Sequence, residues 1–193
     1  MIDNRKELKR VVDYEKKLYF GEGGNKCSHM MRLRYTKEKI YFLWKYVYYL
    51  RHCELYKNTM DSSTLSKMML VIYRRKKNRL GEKLGIEIAE NCFEEGLQIY
   101  HGMIVVNSMA RIGKNCKLHG MNCIGNNGYS DKVPMMGMNV ELGVGAVVIG
   151  DITISDGTVV AANAVVNRSV DKRNCVMAGV PAKQIGWVCE CGE

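Results

Sequence analysis

The chain has no apolar run long enough to span a bilayer. Its opening stretch, Met1 to Arg10, is charged and lacks the apolar core of a signal peptide, so a cytoplasmic protein is expected, at most one working at the inner membrane face. Metal chemistry has little to build on. Cys189 and Cys191 form a lone C-x-C with no second pair, a poor zinc signal, and only four histidines are present: His29, His52, His101 and His119. At 193 residues the chain is one or two domains and can bury a real core.

The charge is uneven. Residues 1–84 carry 21 Lys/Arg against 9 Asp/Glu, whereas residues 85–193 carry 8 against 11. A basic N-terminal unit suits nucleic acid, an anionic membrane face or an acidic polymer. Its charges are scattered rather than blocked, which favours a solvated helix surface; no nucleic-acid partner is expected, and peripheral membrane contact through the basic helices stays open.

What the sequence does have is a period of six. Ile88, Glu94, Tyr100, Val106, Ile112, Leu118, Ile124, Ser130, Met136, Leu142, Val148, Ile154, Val160 and Val166 follow one another at that interval, and eleven of these fourteen are aliphatic or Met. Four places on, the residue is usually small or apolar, as at Cys92, Ala110, Cys116, Ala146 and Ala164, so Cys92 and Cys116 read as core thiols. An amphipathic helix repeats at 3.6 and an ordinary strand at 2. A sustained hexapeptide repeat predicts a parallel β-helix, with Gly, Asn and Asp at its corners. The stretch from Asn126 to Pro134 loses the hexapeptide character and reads as a loop pushed out of the solenoid.

Ahead of the repeat, three helices are predicted. The first covers 3–20 and ends at Gly21-Glu22-Gly23-Gly24. The second runs from about Lys37 to Tyr56, with Ile40, Leu43, Trp44, Val47 and Leu50 on one side and its tyrosines in helix packing. The third starts near Ser62 or Ser63 and ends at Gly81, with basic residues in its last turns that suit the helix dipole. The expected organisation is a basic α-helical unit over 1–84, a β-helix over 85–186 and a tail over 187–193.

His29 and His52 lie in the helical unit with no partner in view and read as surface or core residues. His101 and His119 are eighteen apart, three hexapeptides, so three-strand coils would put them at equivalent places on successive turns about 4.8 Å apart. Both follow a repeat position and turn outward. Around them are Asn107, Asn122, Asn126 and Asn127, either donors to an acceptor or oxyanion, or corner residues that tolerate left-handed backbone.

These residues carry a resemblance. The run Gly96 to Asn107, containing Tyr100-His101-Gly102, resembles the active-site entrance of the hexapeptide-repeat acyltransferases. The run from Leu118 to Gly128 looks like the following coil in their serine acetyltransferase-related branch. Leu142 to Asp151, Val160 to Val166 and Ala178-Gly179-Val180-Pro181-Ala182-Lys183 match the family's most specific stretch. The resemblance covers about residues 80–186, and the N-terminal helices look compatible with short members found with surface-polysaccharide genes. It implies a left-handed β-helix prism, a homotrimer, and acetyl-CoA in the groove between prisms. It also implies that Gly143, Gly145, Ala161 and Ala162 line the pantetheine arm and that Lys183 sits near the nucleotide phosphates, with Arg168, Lys172 and Arg173 as lesser candidates. His101 stands at the family's general base, and His119 would bind acceptor, share the proton or replace the base. Glu87 is the candidate carboxylate to orient the base, with Glu94 or Glu95 as alternatives.

Two residues depart from the serine branch. Tyr100 precedes the histidine where that branch has Asp, and Asp131-Lys132-Val133-Pro134 has Val133 where it has His. Both weaken a serine assignment, and the extra His119 with the Asn-rich corners fits a sugar hydroxyl of a surface polysaccharide or its precursor better, with serine as the alternative. A three-histidine zinc β-helix enzyme, like the γ-type carbonic anhydrases, is disfavoured because only two histidines fall in the repeat, so no metal is expected. A non-catalytic β-helix scaffold is the reading from outside enzymology.

Overall fold

A computed structural model of the protein describes residues 2–22, 27–60 and 63–188. Gly23, Gly24, Ser62, Cys189 and Cys191, and with the last two most of the expected tail, lie outside the described residues.

Among the described residues, four helices precede the solenoid. Helix α1 (Arg5–Phe20) starts at Asn4, whose side chain accepts from the Glu7 N–H at 2.8 Å, and stops at Gly21. Helix α2 (Cys27–Tyr35) is an addition to the three predicted. It is short, and Leu33 is the core residue among its described side chains, so it has little apolar stripe to read. Helix α3 (Lys39–Asn58) buries Leu43, Trp44, Val47 and Leu50 as predicted but leaves Ile40 exposed, and it also buries Tyr46, Arg51, Cys53 and Glu54. Helix α4 (Thr64–Leu84) continues past Gly81 to a left-handed cap at Gly85 (φ 67°, ψ 35°). Gly81 is glycine for a different reason: a Cβ there would lie 2.5 Å from the Ile86 carbonyl oxygen, where the helix meets the chain that follows it.

That chain is a left-handed parallel β-helix. The first coil holds β1 (Ile86–Glu87), a bridge at Phe93 and β2 (Gln98–Ile99). The second holds β3 (Ile104–Val106), β4 (Arg111–Ile112) and β5 (Lys117–Leu118); the third holds β6 (Cys123–Gly125), β7 (Met135–Met136) and β8 (Glu141–Leu142). The fourth holds β9 (Val147–Ile149), β10 (Thr153–Ile154) and β11 (Val159–Val160). The fifth holds β12 (Val165–Val166), a bridge at Val170 and β13 (Cys175–Gly179), after which β14 (Ala182–Trp187) turns back antiparallel to β13. Like strands of successive coils pair in parallel, giving faces β1-β3-β6-β9-β12, β4-β7-β10 and β2-β5-β8-β11-β13.

The period of six identifies the inward column from Val106 onward. Ile112, Leu118, Ile124, Leu142, Val148, Ile154, Val160 and Val166 are all buried, with Cys116, Ala146 and Ala164 beside them and Cys92 in the first coil. In the first coil the phase slips by one and then recovers. Phe93 and Ile99, not Glu94 and Tyr100, take the inward places and pair with Ile112 and Leu118. Two of the three exceptions to the aliphatic rule are therefore exposed residues at a local shift of register. The third, Ser130, lies in the extruded loop. Partners eighteen apart before it (Val105 and Cys123) become twenty-four apart across it (Arg111 and Met135), so the loop adds six residues and leaves the phase intact.

The helices close the first coil. An uncovered parallel edge exposes a row of unpaired N–H and C=O groups. Here Tyr19 and Tyr46 accept, through their hydroxyl oxygens, from the N–H groups of Ile99 (2.7 Å) and Ile88 (3.1 Å). Glu15 accepts from Gly96 and Leu97, and Glu54 from Asn91. Between the two carboxylates lies Arg51, 1 % exposed, at 2.7 Å from Glu15 and 2.9 Å from Glu54, donating also to the carbonyls of Phe93 and Glu94. Burial pushes the Glu15 carboxyl upward against the opposing pull of Arg51. Removing the cation alone strands two buried carboxylates. Arg51→Met is expected to cost about 3–5 kcal/mol, read as a lower urea midpoint, and adding Glu15→Gln should recover part of that loss.

A second junction holds the other side. Glu90 meets Lys77 at 2.9 Å and Arg74 at 3.0 Å, and Lys77 also donates to the Ile88 carbonyl. Burial alone would raise the Glu90 carboxyl; Lys77 and Arg74 outweigh it and hold it at about 2, below its usual 4.5. A depressed carboxylate contributes stability above its unfolded value and loses it as pH falls through the folded one. Glu90→Gln should therefore flatten the stability–pH curve between 4.5 and about 2, measured by denaturant unfolding across that window.

Candidate active site

One edge of the prism, between the β2-β5-β8-β11 and β3-β6-β9-β12 faces, gathers most of the residues singled out from sequence. Going up it, the corners are Tyr100-His101-Gly102, His119-Gly120-Met121, Gly143-Val144-Gly145 and Ala161-Ala162-Asn163. They are laced by backbone bonds from Met121 to Gly102 (3.0 Å), Gly145 to Gly120 (2.9 Å) and Asn163 to Val144 (2.8 Å). Parallel strands stack about 4.8 Å apart, so the histidine corners and the Gly/Ala corners form one continuous strip.

The two histidines share this edge but do not stack as their spacing predicts. The pairs Gln98–Lys117 and Ile99–Leu118 set a register of nineteen here, because the first coil takes one more residue to turn this corner than those above it. The neighbour of His119 is therefore Tyr100, whose ring lies over the imidazole at 4.7 Å between centroids and 14° between planes. His101 instead faces Gly120, where φ is 109° and a Cβ would come within 2.6 Å of the His101 Cβ. The His101 side chain is exposed, and its ring makes no hydrogen bond within the described residues.

The carboxylate beside a histidine is also a different one. Glu141, on β8, brings Oε1 to 2.8 Å from His119 Nε2 and Oε2 to 3.4 Å from Lys117 Nζ. Glu87 lies on the outside of β1 beside Val105 and bonds to neither histidine. Glu94 is exposed and contributes its carbonyl to Arg51; Glu95 pairs with Arg10 and Lys114. Glu141 was hidden in the sequence because the six-residue loop intervenes. Once that loop is subtracted, Glu141 falls one coil above Lys117, two residues from His119.

The asparagines divide. Asn122 is 2 % exposed, accepts from the Gly120 N–H at 2.9 Å and donates to the carbonyls of Gly143 (2.8 Å) and Ala146 (3.3 Å). Its carboxamide is spent on fixing the His119 corner, so it does not project to an acceptor. Asn107 and Asn126 stand at the far end of the β3-β6 face, lining a cavity of about 1040 Å³ with Glu87, Lys77 and Tyr46. Asn107 accepts from the Met109 N–H, and the exposed Asn127 accepts from those of Tyr129 and Ser130 in the loop. The strand β3 and its corner separate these residues from the histidines.

The corners above the histidines are closely packed. A Cβ on Gly143 would meet the Ala162 nitrogen at 2.7 Å, and one on Gly145 the Asn163 carboxamide at 2.2 Å. Lys183 is exposed on β14 opposite Ala178. Of the lesser cations, Arg173 pairs with Asp156 at 3.4 Å, Lys172 lies over the Trp187 ring at 5.7 Å and Arg168 is exposed. His52 is structural: it stacks on Tyr73 at 4.5 Å, bonds through Nδ1 with the Tyr48 carbonyl, and burial lowers its ring below the usual value.

No protein-family model matches the chain. It is 31 % identical over 105 residues to the serine acetyltransferase of Synechococcus elongatus, covering 52 % of this chain and 43 % of that one. It is 35 % identical over 118 residues to serine acetyltransferase 4 of Arabidopsis thaliana, covering 58 % and 33 %. The chain thus spans less than half the length of these curated relatives. Its fold matches the crystal structure of Brucella abortus serine acetyltransferase in complex with coenzyme A at a TM-score of 0.71, over 96 % of this chain and 70 % of that one, with 21 % identity. Over about half its length the chain is similar in sequence to serine acetyltransferases, and over nearly all of it the fold is that of their left-handed β-helix.

Proposed function

We propose that this protein is an acetyl-CoA-dependent O-acetyltransferase, with L-serine the acceptor that the names of its relatives supply. The reading is carried by the edge on which two histidine corners continue directly into corners rich in Gly and Ala. Small residues leave room for an extended pantetheine arm along Gly143, Gly145, Ala161 and Ala162. Lys183 supplies a cation for the nucleotide phosphates, and a homotrimer supplies the facing prism of the groove.

In this reading His101 is the general base. A neutral hydroxyl is a poor nucleophile, and an imidazole that takes its proton as it attacks the thioester carbon lowers the barrier. The tetrahedral oxyanion then collapses, the carbon–sulfur bond breaks, and the imidazolium returns its proton to the leaving thiolate. The exposed His101 ring has freedom to meet an acceptor from solvent.

A second reading, in which the acceptor is a sugar hydroxyl, is favoured by Tyr100 and Val133. They stand where the serine branch has the Asp and His that handle a small zwitterion, and Tyr100 presents a half-exposed ring beside His119. Thiol release from acetyl-CoA, followed with L-serine and with a panel of methyl glycosides, separates the two. His101→Ala should lower kcat by about 10²–10⁴-fold with the true acceptor. Turnover left intact by both His101→Ala and His119→Ala would remove this edge as the active site.

A further inference from the structure

Three successive coils bring Tyr100, His119 and Glu141 together, with Tyr100 below His119 and Glu141 above Lys117 reaching across to it. The Tyr100 ring covers one face of the imidazole at 4.7 Å. Glu141 Oε1 takes the Nε2 edge at 2.8 Å, and Lys117 draws the second carboxylate oxygen at 3.4 Å, so the carboxylate is itself held at both ends. The spacing of these groups follows from the backbone ladder that joins Ile99 to Leu118 and Leu118 to Leu142. Three residues on, Asn122 is buried and bonded at both ends of its carboxamide, which fixes the corner that carries His119.

A carboxylate accepts hydrogen bonds and donates none. The bond at Nε2 therefore runs from the ring to Glu141, and a neutral ring so held has Nδ1 as its accepting nitrogen. No described residue bonds to that Nδ1. His119 and Glu141 are each about a third exposed (32 % and 31 %). Pairs this exposed contribute little to folding, so stability does not account for an imidazole clamped on two sides.

We propose that Glu141 is a positioning residue for the acceptor. By holding His119 in one orientation and one tautomer, it presents Nδ1 to accept a hydrogen bond from an acceptor hydroxyl or amine at the edge where His101 removes the reacting proton. This rests on the acetyl-transfer reading above. It predicts an effect on acceptor binding rather than on acetyl-CoA binding or the chemical step. Neither the helical unit nor the cavity at Asn107 and Asn126 offers a comparable clamped ring among the described residues that is also open to solvent.

The test uses the full chain, wild type, Glu141→Gln and Glu141→Leu, with thiol release as the kinetic readout and L-serine and methyl glycosides as acceptors. Glu141→Leu should raise the acceptor KM by about tenfold, the loss of one charge-assisted hydrogen bond's orienting effect, with the acetyl-CoA KM unchanged. Glu141→Gln retains an accepting oxygen and should recover most of the loss. Ring ¹⁵N spectra should show His119 as the Nε2–H tautomer in the wild type and as a mixture in Glu141→Leu. A Glu141→Leu enzyme with wild-type acceptor KM overturns the proposal while leaving the acetyl-transfer reading standing, and so does an unchanged tautomer. A wild type that releases no thiol with any acceptor removes the acetyl-transfer reading and the acceptor role with it, whatever the spectra show.

Discussion

The buried Arg51 guanidinium is the constraint on which the rest of the molecule depends. A β-helix has no closing strand at its first coil, and the peptide groups there must be satisfied by something other than another coil. In this chain the helices do it with side chains. Glu15 and Glu54 accept from the first coil's N–H groups, and Arg51 neutralises both while donating to its carbonyls. None of these ions is affordable alone in the interior. Together they tie α1 and α3 to the turn just before β2, and so fix the strand that leads into the Tyr100-His101 corner. The helical unit is therefore part of the site's geometry, and its last residue, Leu84, accepts at 3.0 Å from the Met103 N–H at the His101 corner.

This explains where the sequence was legible and where it was not. The six-residue period is imposed by side chains that must fit inside a narrow prism, and inward residues such as Leu118, Leu142 and Val160 obey it. The fold, the extruded loop and the shared edge of histidines and small residues all follow from that period. The first coil is different because it packs against helices as well as against a coil. There Phe93 and Ile99 slip inward by one place and the count recovers by Val106. A slip that cancels itself leaves the spacing of eighteen between His101 and His119 intact while changing which residue lies under His119. Tyr100 could be recognised from sequence only by treating its exception to the aliphatic rule as a change of register.

The carboxylates and amides were missed for related reasons. Glu87, Glu94 and Glu95 lie close to His101 along the chain, but in a solenoid the near neighbours of a corner are on the coils above and below. Glu141 is separated from His119 by twenty-two residues, six of them in a loop that contributes no rise. Asn122 was placed on the right corner, yet a position four places after an inward residue points to the interior, and a buried carboxamide there must satisfy itself with the surrounding backbone. Gly81 shows the same limit in the helices: its glycine answers to a carbonyl across the junction rather than to the end of its own helix.

The ladder that sets these neighbours also determines what the edge can vary. Coil-to-coil hydrogen bonds hold the corners at one spacing, so chemistry changes there by substitution of outward side chains and not by movement of strands. The Gly and Ala corners tolerate little, since a Cβ at Gly143 would strike the backbone of the coil above. The corners one and two coils below carry Tyr100, His101, Met103, His119 and Met121, large side chains that reach outward or along the edge. A strip that is invariant in shape at one end and free in side-chain choice at the other suits a reaction with one constant substrate and one variable one. Under the proposed acetyl transfer, that division would put acceptor selectivity on Tyr100 and the His119–Glu141 pair, the groups at the variable end that hold one another in fixed positions.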